Sequence, residues 1–132
     1  MFKAKDIMTR VVITTRPEMP IYDAIRMLAN RNLTGLCVVD AELNLVGMLC
    51  EKDVLKTMYA TQDNADQTVA DYMSKDFTSF ELNNTLIDFC DRLVESDSRN
   101  VPVTEDGKLV GIASTSNIIN AILKLKHQEV MS

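Results

Sequence analysis

The apolar positions of this chain alternate between a helical period and short continuous runs. An amphipathic helix is predicted after Pro20, where apolar side chains recur at intervals of three and four residues. Proline suits the first turn of a helix, because its missing N–H would be unpaired there anyway. The same period returns over residues 85–96. The residues that carry the two periods are Ile21, Ala24, Ile25 and Leu28, and then Leu86, Phe89, Cys90 and Leu93.

Short β-branched and apolar runs predict strands before and after each of these helices. Residues 11–14 and 77–80 form the runs that precede the helices. After each helix, two apolar runs are joined by a polar turn, as in a hairpin with one buried face, and Asp106-Gly107 is a strong turn signal in the second hairpin. The hairpin strands are predicted at 36–39 with 45–49 and at 101–104 with 108–113.

A further helix is predicted after each hairpin. The first of these carries Val54, Leu55 and Met58 on one side, and the last carries a broader apolar stripe. The members of the stripe are Ile118, Ile119, Ile122, Leu123 and Leu125. A stripe of this width indicates burial, either against another subunit or within the chain itself.

The element order β-α-β-β-α occurs twice because the chain contains an internal repeat. Asp6-Ile7-Met8-Thr9 returns as Asp71-Tyr72-Met73-Ser74, and Leu45-Val46-Gly47 returns as Leu109-Val110-Gly111. Neither copy has enough apolar surface to be stable alone. The repeat therefore predicts two half-domains that bury a core between them, with two equivalent clefts related by an approximate two-fold axis.

These observations define the predicted fold class and its boundaries. We expect an α+β fold, close to an α/β arrangement, in which two pseudo-symmetric β-α-β-β-α units share one core. The first unit is predicted at residues 1–62 and the second at 66–127, with a polar linker at about 60–68. A chain of 132 residues suits one such module.

The composition narrows the classes of partner. A formal net charge of −5 argues against non-specific binding to nucleic acid, which depends on a basic surface. A small anionic ligand stays possible, since a helix end can bind phosphate within an acidic protein. No apolar run approaches the roughly 20 residues that span a bilayer, and no cleavable signal precedes the repeat. We therefore expect a cytoplasmic protein with neither a membrane nor a nucleic acid as its partner.

The cysteines favour structural roles. Cys37, Cys50 and Cys90 are odd in number and lack CxxC spacing, so reduced thiols are expected and a disulfide framework is not. Small core residues are the favoured interpretation over a redox or metal role, because free cysteine is often buried. A lone His127 cannot complete a zinc site. No metal site is predicted.

The candidate chemistry lies at residues 47–53 and 111–117, where the last strand of each copy meets the following helix. Free N–H groups and the positive end of the helix dipole favour an anion there, and the hydroxyls of Ser114 and Thr115 suit phosphate. Asp53 or Asn117, three residues into each helix, can take the hydroxyls of a ribose. The alternative is that these residues only cap the helices.

The duplicated motifs resemble a tandem pair of cystathionine β-synthase (CBS) domains. The resemblance is carried by Asp-Ile-Met-Thr at residues 6–9, by Val101-Pro102-Val103 and by the two Gly-x-x-(Ser/Thr)-x-x-(Asp/Asn) junctions, of which the first has Cys50 at the hydroxyl position. It covers residues 3–125. The resemblance implies a Bateman module, commonly a homodimer formed through helices of the units. It also implies a regulatory ligand in the cleft between units: AMP, ADP, ATP or S-adenosylmethionine.

Residue by residue, the two copies match the family pattern differently. Ser114 implies a phosphate contact and Asp53 a ribose contact, whereas Cys50 and Asn117 depart from the pattern. Arg99 is the side chain expected to neutralise phosphate, with pairing to a nearby acid as its alternative. The remaining candidates for lining the clefts are Thr14, Thr34, Lys52, Pro102 and Thr115.

Three functions are consistent, to different degrees, with these residues. The leading one is a regulatory module that senses an adenosine nucleotide, changes conformation or partner binding, and requires no cofactor. The alternative is a non-catalytic module for dimerisation or protein interaction, with vestigial clefts. An enzyme with Cys50 as nucleophile is disfavoured, because the neighbouring Glu51 and Asp53 oppose thiolate formation. The regulated process and any effector protein are not visible in the sequence.

Overall fold

A computed structural model of the protein describes residues 2–59, 66–94 and 100–131. Within these ranges, six α-helices and six strands follow one another in the predicted order, with a short α-helix added at the start of each repeat and a 3₁₀ helix (Lys56–Tyr59) after the third α-helix. The helices are α1 (Ala4–Ile7), α2 (Ile21–Asn30), α3 (Glu51–Leu55), α4 (Val69–Tyr72), α5 (Leu86–Leu93) and α6 (Thr115–Met131). The strands are β1 (Thr14–Thr15), β2 (Gly35–Val39), β3 (Leu45–Cys50), β4 (Phe80–Glu81), β5 (Asn100–Glu105) and β6 (Lys108–Ser114).

The strands form two three-stranded sheets with the same topology. In the first sheet β1 pairs in parallel with β2, and β2 pairs antiparallel with β3. The second sheet repeats this arrangement with β4, β5 and β6. Asp106 and Gly107 both adopt positive φ at the second hairpin, at 52° and 82°, as the Asp-Gly signal predicts. The α+β class predicted from the sequence is confirmed.

The compact units divide the chain at different places from the sequence repeats. One unit, the continuous unit, is Ile13–Phe77. The other, the discontinuous unit, combines Met1–Val12 with Thr78–Ser132. Each unit therefore contains the sheet of one repeat together with the leading segment of the other repeat.

Backbone hydrogen bonds attach each leading segment to its sheet. In the discontinuous unit, the N–H of Thr9 donates to the carbonyl of Ile112 at 2.8 Å, and the N–H of Ile112 returns a bond to Thr9 at 2.9 Å. Met48 and Ser74 exchange the equivalent pair in the continuous unit, at 2.9 and 2.8 Å. The Asp-x-Met-(Ser/Thr) motif, together with the short helix that runs into it (α1 or α4), is thus a strap that extends a sheet edge.

Each unit has its own cluster of buried apolar side chains. In the continuous unit the cluster joins α2, both hairpin strands and α4; it contains Ile21, Ala24, Leu28, Leu36, Val38, Leu49 and Val69. In the discontinuous unit the cluster contains Ala4, Phe80, Leu86, Phe89, Val101, Val103, Ala113, Ile118 and Ala121. Ala4 and Val69, from the two straps, are fully buried in these clusters. Each cluster therefore depends on residues from both repeats.

Some sequence expectations were wrong in detail. The first strand was predicted at 11–14, but β1 holds only Thr14–Thr15, and Val11 is 84% exposed. The strand predicted at 77–80 is Phe80–Glu81. Each of these strands pairs with its neighbour over only two residues. The helix predicted to carry Val54, Leu55 and Met58 on one side ends at Leu55, and Met58 lies in the 3₁₀ turn that follows. Leu55 and Met58 are 63% and 82% exposed.

The last helix is only partly buried. Ile118 is 5% exposed, but Ile119 and Leu123 from the same predicted stripe are 53% and 63% exposed within the single chain. The helix is longer than its predicted apolar run, at 17 residues. The polar linker at 60–68 falls mostly outside the described residues, although Thr68 forms a bridge to Pro20.

Candidate functional site

In the continuous unit, the strand–helix junction is organised around a buried carboxylate. Helix α3 begins directly after Cys50, and the N–H of Cys50 donates to Oδ2 of Asp53 at 2.8 Å. Asp53 is only 5% exposed. Its Oδ1 atom lies 3.8 Å from Nζ of Lys56. Because the lysine side chain is 66% exposed, this ion pair contributes little to stability. The carboxylate therefore caps the start of α3.

The equivalent junction of the discontinuous unit is a reciprocal capping box. The N–H of Ser114 donates to Oδ1 of Asn117 at 3.0 Å, and the N–H of Asn117 donates to Oγ of Ser114 at 3.1 Å. Two N–H groups that the helix start would leave unpaired are satisfied in this way. Both junctions thus show the capping role that the sequence left open as an alternative.

The capping side chains can still form further hydrogen bonds. A carboxylate has about four lone-pair sites, so Asp53 retains acceptor capacity after it caps Cys50. Asn117 keeps its amide NH₂ as a donor, and the hydroxyl of Ser114 can still donate while its oxygen accepts from Asn117. A ligand at either junction would therefore add to the caps without displacing them.

The thiol of Cys50 stays protonated at neutral pH. Burial raises its pKa, and the neighbouring carboxylates of Asp53 and Glu51 raise it further, while the Lys52 ammonium lowers it. A neutral thiol is a weak hydrogen-bond donor and a poor nucleophile. This electrostatic environment opposes the disfavoured interpretation of Cys50 as a catalytic nucleophile.

The predicted site residues fall into two sets, one in each unit. Thr14, Thr34, Lys52 and Asp53 lie in the continuous unit, and Pro102, Ser114, Thr115 and Asn117 lie in the discontinuous unit. Thr14 pairs with Cys37 in the sheet register, next to the strand that ends at Cys50. Thr34, Lys52 and Thr115 are exposed, whereas Pro102 is fully buried. Arg99 lies outside the described residues.

One concavity contains a predicted residue together with residues that the sequence did not single out. It measures about 190 Å³ and lies between α1 and α6 of the discontinuous unit. Its lining is Phe2, Asp6, Ile7, Asn117, Asn120, Ala121 and Lys124. The four α6 residues follow helical spacing on one face and could have been grouped from the sequence. Asp6 lies beside these residues because its strap packs in this unit, and no local pattern in the sequence predicts that contact.

The described part of the chain contains no group of three or more His, Cys, Asp and Glu side chains placed to hold a metal ion. No described helix combines the length and hydropathy that crossing a bilayer requires.

Comparison with known proteins agrees with this topology. The model of the CBS domain family matches the chain twice, at residues 4–60 and 69–124. The chain therefore belongs to the CBS domain family and carries a tandem pair of its domains.

Individual relatives cover most of the chain. An uncharacterized 17.7 kDa protein from the bps2 3′ region of Acidianus ambivalens is 30% identical over 122 residues, which are 92% of this chain and 73% of that protein. The structure of CBSX2 from Arabidopsis thaliana in complex with AMP is 27% identical, with a TM-score of 0.81 over 96% of this chain and 99% of that one.

A third comparison concerns the fold alone. The CBS domain pair of protein MJ0100, in complex with 5′-methylthioadenosine and S-adenosyl-L-methionine, is 22% identical. Its TM-score is 0.77, and the match covers 92% of this chain and 96% of that one. The paired arrangement of two β-α-β-β-α repeats is thus common to chains of low sequence identity.

Proposed function

We propose that this CBS pair is a regulatory module that binds an adenosine-containing ligand. The observation that carries the proposal is the pair of polar strand–helix junctions, one in each unit, within a fold that CBSX2 uses in complex with AMP. Asp53 offers a carboxylate for a ribose diol at one junction. Ser114, Thr115 and Asn117 offer hydroxyl and amide groups at the other.

The two junctions are expected to select different parts of such ligands. Ser114 and Thr115 precede or begin a 17-residue helix and have no acidic neighbour within the junction, so this end favours phosphate. At the other junction α3 has only five residues, and Glu51 and Asp53 add negative charge. The continuous unit is therefore proposed to take an uncharged or cationic nucleoside portion, and the discontinuous unit a nucleotide phosphate.

Regulation follows from differential affinity. A ligand that binds one conformation of the chain more tightly than another shifts the population toward the tighter-binding conformation. We propose that the occupied module signals to an effector protein through this shift, and that the functional form is a homodimer. Neither role requires a cofactor or a catalytic residue.

Calorimetric titration of ligand-stripped protein with AMP, ADP, ATP, S-adenosylmethionine and adenosine tests the proposal. Binding of at least one ligand with a matching rise in Tm is expected. Ser114→Ala should weaken the binding of nucleotides more than the binding of adenosine. Asp53→Asn should weaken the binding of every ribose-containing ligand, while the amide oxygen still accepts the hydrogen bond from the N–H of Cys50. Cys90→Ser, far from both junctions in sequence, is the matched control. Absence of heat and of thermal shift at millimolar ligand would exclude the proposal.

A second candidate function is a structural interaction module whose ligand sites are vestigial. The capping contacts of Asp53 and Asn117 favour it, because helix stability alone accounts for both side chains. The exposed Ile119 and Leu123 of α6 offer an apolar surface for association. A dimer whose stability ignores all five ligands, and which Leu123→Lys dissociates, would favour this function over ligand sensing.

A further inference from the structure

Three sulfur-containing side chains project from the same face of the sheet in the continuous unit. The antiparallel register pairs Cys37 with Met48 and Gly35 with Cys50. Gly35 and Cys37 are two residues apart in β2, so both point to the same face, as do their partners in β3. The side chains of Cys37, Met48 and Cys50 therefore share a face. The opposite face, with Leu36, Val38 and Leu49, belongs to the apolar cluster.

The strand register brings the three sulfur-containing side chains together. Directly opposed residues have Cβ atoms about 4.5–5.5 Å apart, which places Met48 beside Cys37. Sγ of Cys50 lies 3.8 Å from where a Cβ on Gly35 would be, so this thiol leans over the strand that carries Cys37. Burial raises the pKa of Cys37 to about 12, and proximity to Cys50 raises it as well.

Two of the three side chains are shielded from water, and the third is accessible to it. Cys37 is 1% exposed and Met48 is 8% exposed, whereas Cys50 is half-buried at the end of its strand. An ion could thus reach Cys50 first and be held away from water by the other two. All three cysteines of the chain are free, so no disulfide blocks these thiols.

The internal repeat supplies a comparison within the same chain. In the discontinuous unit, the register pairs Pro102 with Ile112 and Asn100 with Ser114, at the positions equivalent to Cys37–Met48 and Gly35–Cys50. None of these four residues carries sulfur. The clustering of sulfur is therefore a property of one unit, and the sheet geometry alone does not demand it.

We propose that Cys37 and Cys50 bind one copper(I) ion between two thiolates, with the thioether of Met48 as a weaker third ligand. Thiolate and thioether ligands select copper(I), which a pair of thiolates can hold. Zinc would need about four ligands, and the described residues provide no suitable cluster of three. On binding, two S–H protons leave and one Cu⁺ enters, so the pair of uncharged thiols becomes a complex of net charge −1.

The test is an anaerobic titration of the reduced chain with copper(I), buffered by a competing copper(I) chelator. Native mass spectrometry gives the number of ions per chain, and near-ultraviolet thiolate–copper absorbance reports the ligands. We expect one ion per monomer in the wild type and in Cys90→Ser, the matched control. Cys50→Ser and Cys37→Ala should each lower the affinity by more than the roughly 10- to 100-fold that loss of an outer-shell partner costs. Met48→Leu, which conserves volume, should have a smaller effect.

Several outcomes would overturn the proposal. These are an affinity unchanged in both Cys37→Ala and Cys50→Ser, loss of binding in Cys90→Ser, or one ion shared between two chains. Circular dichroism of each variant separates loss of ligand from loss of fold. If Cys37→Ala does not fold, Cys50→Ser still decides the matter, since serine occupies the equivalent position 114 in the other repeat.

Discussion

Sδ of Met8 occupies the space beside Gly111 that a side chain would need. A Cβ built on Gly111 would lie 2.6 Å from this sulfur and 2.9 Å from the carbonyl oxygen of Thr9. The same relationship joins Met73 to Gly47, at 2.7 Å. The methionine of each strap thus packs on the glycine of the sheet to which the strap is hydrogen-bonded. Each strap therefore requires glycine at a position that is distant in sequence.

Gly111→Ala is expected to destabilise the protein by about 1–3 kcal/mol, the usual cost of overpacking a well-filled site. Denaturant unfolding measures this change. Adding Met8→Ala should recover only part of the loss, because the Thr9 carbonyl still crowds the new Cβ. Additive losses in the double variant would show that Met8 and Gly111 do not compete for this space.

A fragment covering residues 13–77 is expected to fold, whereas a fragment covering the first sequence repeat, 1–62, is not. The first fragment keeps the α4 strap and its buried Val69 on the sheet. The second fragment lacks them and carries an α1 strap without its own sheet. Far-ultraviolet circular dichroism and urea unfolding of both fragments check this. A cooperative transition in 1–62 but not in 13–77 would contradict the division into compact units.

Asp53→Ala is expected to cost about 0.5–2 kcal/mol, as for the loss of a helix cap, because the N–H of Cys50 then loses its acceptor. Asp53→Asn should cost less, since an amide oxygen fills this role at Asn117. Thermal unfolding in the absence of ligand gives the order of stability. Equal losses in the two variants would mean that the carboxylate charge, and not its acceptor, stabilises the junction.

Stability should fall as the pH rises above about 9, partly through Cys37. Its pKa rises from the ordinary value of 9.0 to about 12 in the folded chain. Between these values the unfolded chain has lost a proton that the folded chain keeps, so the free energy of unfolding falls by up to about 1.4 kcal/mol per pH unit. Below pH 9 this contribution is fully present.

The alkaline effect is isolated by comparing the wild type with Cys37→Ala. The difference between their free energies of unfolding should shift across pH 9–11 in the direction that favours the variant. Cys90→Ser is the control and should follow the wild type. Parallel curves for the wild type and Cys37→Ala would show that the thiol ionises alike in the folded and unfolded chains.

Local patterns predicted most of the elements correctly. The helical spacing of Ile21, Ala24 and Leu28 gave α2, and all three side chains are buried. The Asp106-Gly107 signal gave the second hairpin. These elements were accessible because helix and strand periods, and turn residues, act through neighbours in the sequence.

The candidate site was only partly predictable. The residues at the two junctions could be singled out from the sequence because each lies within a few positions of its capping partner, whereas their role toward a ligand stays a prediction. The caps could have been foreseen from the Ser-x-x-Asn spacing, but the burial of Asp53 could not. The shared face of Cys37, Met48 and Cys50 depends on the strand register, which pairs residues up to 15 positions apart across the hairpin.

The sequence by itself determined the repeat, the order of its elements and the chemical difference between Cys50-x-x-Asp53 and Ser114-x-x-Asn117. The tertiary structure decided which repeat each strap completes. The sequence of an Asp-x-Met segment does not predict which sheet the segment joins, since its own pattern contains no information about its partner. Backbone bonds from Thr9 to Ile112 and close packing of Met8 on Gly111 select the sheet of the other repeat, and these interactions exist only once the chain has folded.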